Sequence, residues 1–222
     1  MSDIPAHSGV QTADAGTIQA WKEALADKGS RVEFAGSILG FGVILYVLAR
    51  FLDYVEARRG VVIYDPILAL FPAQDVTWIT FGLIYLALAI GVVYLASHPR
   101  QLLLALQSYS VLVVFRMLSM FSVPLDPAVT MIPLKDPLVQ AFAGGEPLTR
   151  DLFFSGHTST MFLLYLTARQ PWLKSIFLLC TVLVAACVLV QHVHYTVDVI
   201  AAPFFCYASY RIALLMHRQH RP

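Results

Sequence analysis

Only 13% of the 222 residues are charged, no run of lysine or arginine marks a basic surface, and the formal net charge is +1. Nucleic acid is therefore not an expected partner. The three cysteines, Cys180, Cys187 and Cys206, lie in apolar stretches without CxxC spacing or nearby histidines. They read as small buried hydrophobes, not zinc ligands. A basic start followed by a short apolar core and a small-residue cleavage site is missing from MSDIPAHSGVQTADAG, so no removable signal peptide is expected.

What the chain has in excess is apolar surface: 58% of residues are hydrophobic and the mean hydropathy is +0.69. A soluble core does not require so much. Each membrane span needs roughly 20 apolar residues, and six such stretches can be read: Phe34–Leu52, Val76–Ser97, Gln101–Ser122, Leu152–Ala168, Ser175–Gln191 and Tyr195–Met216. They lack the alternation of barrel strands, and lipid cannot satisfy free backbone groups, so helices are predicted. The expected fold is all-α, a polytopic bundle of six transmembrane helices. It divides into an amino-terminal segment (1–33), a six-span domain (34–216) and a short tail (217–222).

An even number of spans puts both termini on one side. That side collects Lys22, Lys28, Arg31, Arg100, Arg169, Lys174, Arg211, Arg218 and Arg221, against Arg50, Arg58, Arg59, Lys135 and Arg150 opposite. The positive-inside rule then makes both termini cytoplasmic. Ile18, Trp21 and Leu25 recur at helical spacing beside charged residues, which suits an interfacial helix before the first span. A short solvated helix fits the same pattern. Five prolines between 124 and 147, with Gly144 and Gly145, exclude a regular helix there and predict an ordered cap over the outer helix ends, or else a loose loop.

Two strings carry chemistry. In RDLFFSGHTST (150–160) a histidine sits at a predicted helix start, beside free N–H groups and the positive end of the helix dipole, a setting suited to phosphate. For this string alone, a histidine that merely bonds at a helix start is an equal reading. In QHVHYTVDVI (191–200), His194 and Asp198 are four apart and share a helix face, so the carboxylate can hold one ring nitrogen and leave the other free. An intramembrane Asp is costly enough to expect a function, although a structural Asp–His pair is the alternative. His192 faces elsewhere and reads as interfacial or supporting. The fourth and sixth helices run in the same direction, so His157, His194 and Asp198 can meet in the outer leaflet. Arg116, in the outward half of the third helix, can bind a lipid phosphate with its planar fork or pair with Asp151 or Asp75.

At these residues the chain resembles the sphingomyelin synthase family, within the type-2 phosphatidic acid phosphatase superfamily, over residues 34–216. The family motif of Asp, a few apolar or aromatic residues and SGHT is matched by Asp151 to Thr158, and its HYT-x-Asp-Val motif by His194 to Val199. PAQD at 72–75 and FRMLSMF around Arg116 fit weaker family features. The Cys-Gly that commonly precedes the first motif is Thr149-Arg150 here. The phosphatase branch adds Lys-x6-Arg-Pro and a Ser-Arg pair; Met117 follows Arg116, and Cys187 and Val188 stand where Ser-Arg would fall.

The resemblance implies transfer of a phosphocholine- or phosphoethanolamine-type head group from a glycerophospholipid donor to ceramide or another lipid alcohol. Catalytic roles fall to His157, His194 and Asp198, and phosphate or substrate binding to Ser155, Gly156, Thr158, Arg116, Asp151 and Tyr195. No metal or cofactor is expected. A lipid phosphatase or phospholipase C-like hydrolase would use the same residues with water as acceptor, and a transporter would use them only to bind. The expected location is a bacterial inner membrane, with the site facing the periplasm.

Overall fold

The structure, a computed structural model, describes residues 8–136 and 148–219. Seven α-helices are present among them: α1 (Ser8–Ala24), α2 (Lys28–Ala57), α3 (Thr77–Ala96), α4 (Pro99–Ser122), α5 (Gly156–Thr167), α6 (Pro171–Val190) and α7 (Thr196–Gln219), with a 3-10 turn at Leu68–Leu70. Local chemistry sets their starts. Asp27 caps α2 by accepting from Ser30 N (2.9 Å) and Oγ (2.6 Å). Pro99 and Pro171 open α4 and α6, where a missing N–H costs nothing.

Five helices, α2, α3, α4, α6 and α7, are long and apolar enough to cross a membrane. The fourth expected span is different. Only Gly156–Thr167 is helical, 12 residues, or roughly 18 Å of rise, short of a bilayer core of about 30 Å. The expected start at Leu152 fails because Ser155 is the cap of α5 and the residues before it are held by side chains: Glu56 accepts from Thr149 N (3.0 Å), Thr149 Oγ1 (2.6 Å) and Arg150 N (3.0 Å).

The core lies where α3, α5 and α6 meet, with Phe81, Ile84, Met161, Leu173, Phe177, Val184 and Val188 buried. Gly91 allows the close approach of α3 to α5, since a Cβ there would stand 2.7 Å from Leu164 Cδ2. On the other flank α4 packs between α7 and α2. α2 buries only Phe34 and Val55 and turns Leu39, Val43 and Tyr46 outward. Large apolar side chains left exposed along α2, α3, α6 and α7 form the surface that a bilayer covers, and the molecule is a polytopic helical membrane protein.

At the end of the bundle that carries the second histidine motif, two connecting segments join. Val61 N donates to Pro124 O (3.0 Å) and Asp126 N to Val61 O (3.1 Å). Gly60 permits this, because a Cβ there would lie 2.7 Å from Asp126 N. Gln191, fully buried, accepts from Val76 N (3.2 Å) and donates to Thr77 Oγ1 (2.9 Å) and Ile132 O (3.2 Å), sewing α6, α3 and the proline segment together. The expected cap is thus ordered over 123–136; its remainder, 137–147, lies outside the described residues. At the opposite end, the Trp21 indole of α1 donates to Ala96 O (2.8 Å) and its ring lies 5.4 Å from that of Phe34.

Candidate active site

The two histidine strings meet backbone to backbone. Ser155 N donates to the carbonyl of Asp198 (3.2 Å), joining the start of α5 to the first turn of α7. Across this joint the rings of His157 and His194 lie 6.5 Å apart between centroids, inclined at 65°. Spacing alone explains the second half of the pair. Asp198 follows His194 by four residues, and its Oδ2 stands 3.4 Å from His194 Nδ1. The alignment is short of a hydrogen bond: His194 Nδ1 and Asp198 Oδ1 have no partner among the described residues, while Oδ2 accepts from Tyr195 N (3.0 Å). Catalytic hydrogen bonds are often loose before substrate arrives. Asp198 is fully buried and His194 nearly so, so the carboxylate faces Nδ1 in a site with little water to compete.

Arg116, on α4, reaches the same place from the other side. It donates from Nε to Phe154 O (3.2 Å) and pairs through Nη2 with Asp151. Its guanidinium lies against Gly156, where a Cβ would come within 2.8 Å of Cζ. Glycine before the histidine is thus what lets the cation approach the free N–H groups at the start of α5. Asp75 takes no part in this pairing; it accepts from Thr77 N (3.0 Å) at the start of α3.

His157, Arg116, Asp151 and Gly156 line one end of a cavity of about 510 Å³. From there it runs between α3, α4 and α5 past Ile84, Leu88 and Met161 to Leu95, Leu102 and Thr167. Phe81 to Leu95 along α3 is roughly 21 Å, so a polar head opens onto a long apolar groove. Sequence reasoning did not find Tyr85 and Asp136, which also line it and are hydrogen-bonded to each other. An acid in the proline segment beside an intramembrane tyrosine was the available signal.

The side chains of three expected phosphate ligands bond within the protein. Tyr195 is buried and its hydroxyl donates to Asp126 O (2.9 Å), which ties α7 to the cap and away from the cavity. Ser155 and Thr158 are buried and bond to each other, Oγ to Oγ1 at 3.1 Å and Thr158 N to Ser155 Oγ at 3.4 Å. Their side chains build the helix start. His192 faces away from the site, bonded at Nδ1 to Thr130 Oγ1 (2.6 Å).

Beneath the motifs lies a charge network missed in the sequence. Arg150 donates from Nε to Asp126 Oδ1 (2.6 Å) and from Nη1 to Glu56 O (2.8 Å). The bond from Arg150 holds the Asp126 carboxyl below its ordinary range. Burial pushes the Asp65 carboxyl up, but bonds from Thr196 N and Oγ1 and from the N–H groups of Leu68 and Ile67 outweigh it and leave the carboxyl lowered.

This pairing of an SGH helix start with a His-x-x-x-Asp helix start is the geometry against which known proteins can be set. Residues 150–217 match the family described as PAP2 superfamily C-terminal. That stretch is similar to the PAP2 superfamily. Over 68 residues the chain is 43% identical to phosphatidylcholine:ceramide cholinephosphotransferase 2 of Macaca fascicularis, a match covering 28% of this chain and 19% of the relative. The resemblance to the sphingomyelin synthase family is thereby supported. No solved structure matches.

Proposed function

We propose that this protein moves a phospho-alcohol head group, of phosphocholine or phosphoethanolamine type, from a glycerophospholipid to ceramide or a similar lipid alcohol. The observation that carries this reading is the meeting of His157 with the His194–Asp198 pair, with His157 itself lining the polar end of an apolar groove.

In the first step the ring nitrogen of His194 left free by Asp198, Nε2, attacks the donor phosphorus. The bond from phosphorus to the glycerol oxygen breaks, and protonated His157 gives that oxygen its proton, releasing diacylglycerol. In the second step the acceptor hydroxyl attacks the phosphorus of the phospho-histidine and gives its proton to His157. The phosphorus–nitrogen bond breaks and His194 is restored. Arg116, with Asp151 orienting it, and the N–H groups at Gly156 balance charge on the phosphoryl oxygens. Ser155, Thr158 and Tyr195 serve as positioning residues. The surrounding topology in this reading is a short fourth segment completing six passes, both termini in the cytoplasm and the site facing the periplasm of a bacterial inner membrane. The phosphotransferase domain in this reading is 34–216, with 1–33 an amino-terminal segment and 217–222 a tail.

The deciding experiment gives the purified protein head-group-labelled phosphatidylcholine and ceramide. Labelled sphingophospholipid and an equal amount of diacylglycerol are expected, and His157→Ala and His194→Ala should form neither. Normal turnover by His194→Ala would sink the nucleophile assignment. Release of soluble phosphocholine or inorganic phosphate alone would instead make the protein a hydrolase.

A further inference from the structure

Arg100 is the second residue of α4, and Arg116, near the other end of that helix, is roughly 24 Å away. Around Arg100 the structure has a second polar recess, of about 340 Å³, lined by Arg100, Gln101, Arg169, Lys174, Tyr210 and Leu214. Among the described residues none of its three cations forms an ion pair. Arg169 is instead held by an amide: the side chain of Gln101, 6% exposed, lies against its guanidinium, and with the amide turned to match donors to acceptors its oxygen accepts from Nη2 (2.9 Å), Nη1 (3.2 Å) and Nε. The Arg169 backbone is fixed as well, its N–H donating to the Tyr94 hydroxyl (3.0 Å). Lys174 lies 4.7 Å from the Tyr165 ring centroid and 3.4 Å from Ala168 O.

An amide positions a guanidinium without cancelling its charge. Carboxylates line an adjoining recess that shares Arg100 and Arg169, and they have other partners: Asp27 with Ser30, Glu23 with Gln19 (2.9 Å), Glu33 with Gln107 (3.2 Å). The floor of the cationic recess is apolar, with Leu104, Leu166 and Leu214, and Trp172 is exposed nearby on α6, as an aromatic at a membrane interface is. A free ion would use the cations alone. A lipid uses the apolar floor too.

We propose that Arg100, Arg169 and Lys174 form a seat for the phosphate of an anionic phospholipid, in the leaflet opposite to the one that contains His157. The seat binds and does no chemistry. It joins the start of α4 to the end of α5, the two helices whose other ends carry Arg116 and His157. It is independent of what the histidines do.

Native mass spectrometry of the full chain in detergent tests the seat, with phosphatidylglycerol, phosphatidylcholine and inorganic phosphate offered separately. One phosphatidylglycerol should be retained in preference to phosphatidylcholine. The preference should fall about fivefold for each cation removed, through Arg100→Gln, Arg169→Gln and Lys174→Gln singly and combined, while His157→Ala retains it. Should the triple variant fail to fold, the single variants decide. An unchanged preference in all three, or equal retention of both lipids by wild type, would overturn the seat. Displacement of the lipid by millimolar inorganic phosphate would overturn the lipid as its occupant.

Discussion

Ser155 and Asp198 are 43 positions apart in the chain and share one hydrogen bond, from the N–H of the first to the carbonyl of the second, 3.2 Å long. Side-chain substitution leaves that bond in place. The chemistry of the two motifs can therefore be altered without separating the helices that carry them.

Asp198→Asn should lower turnover by about 10²–10⁴-fold, the usual worth of an orienting group on a catalytic base or nucleophile. The shape of the residue is preserved and its carbonyl oxygen can still accept from Tyr195 N. Head-group transfer assays beside circular dichroism check this: lost helicity in step with lost activity would make Asp198 structural.

Gly156→Ala should cost more activity than stability. The new methyl would sit 2.8 Å from Arg116 Cζ, so the guanidinium must move away from the helix start and from Asp151. A fall in turnover of at least about tenfold is expected, since one well-aimed donor contributes more than that in comparable sites, while the melting temperature changes little. A variant of wild-type rate would show that Arg116 does not contact phosphate.

Leu88→Trp should tell the groove from the chemistry. The larger ring fills the passage between α3 and α5, so long-chain ceramide should be used poorly. A short-chain, water-dispersible ceramide should react at close to the wild-type rate. Equal losses on both acceptors would remove the groove from substrate binding.

Glu56→Gln should weaken the approach to the first motif. Each charged hydrogen bond contributes about 1.5–3 kcal/mol, and this carboxylate accepts from Thr149 and Arg150. The amide keeps some acceptors, so a lowered melting temperature and faster proteolysis near residue 150 are expected, with full unfolding not expected.

Acid should loosen the cap at low pH only. Asp126 and Asp65 are both held below the ordinary carboxylate value of 3.8. A group whose folded value is depressed contributes its full stability above the unfolded value and loses it as pH falls through the folded one. Melting temperature should accordingly be flat in this respect down to about pH 4 and fall below it, less steeply in Asp126→Asn. An equal drop in both proteins would place the acid sensitivity elsewhere.

Much of the candidate site's layout is legible because its signals are short in range. His194 and Asp198 face each other through helical spacing, and Ser155 before Gly156 and His157 reads as a helix start. The spans were legible because apolar runs of bilayer length admit little else. What escaped was long in range. Glu56 meets Arg150 across 94 positions, and Gln191 meets Val76 across 115, and no local pattern announces such partners. Tyr195 and Thr158 were assigned to phosphate because they sit inside motifs, yet their hydroxyls face protein groups. The fourth span was read too long because Leu152, Phe153 and Phe154 are apolar, while hydrogen bonding around them keeps that stretch out of the helix.

Arg116 lies six residues before the end of α4, roughly 9 Å below that end, and Gly156 and His157 are level with it. On the proposed reading, the reacting phosphorus comes down to meet the histidines while its chains remain among other lipid chains. A catalyst of that kind would sample its substrates in two dimensions: its rate should follow their mole fraction in the surrounding membrane, and diluting them with inert lipid should slow it where diluting the whole suspension with buffer does not.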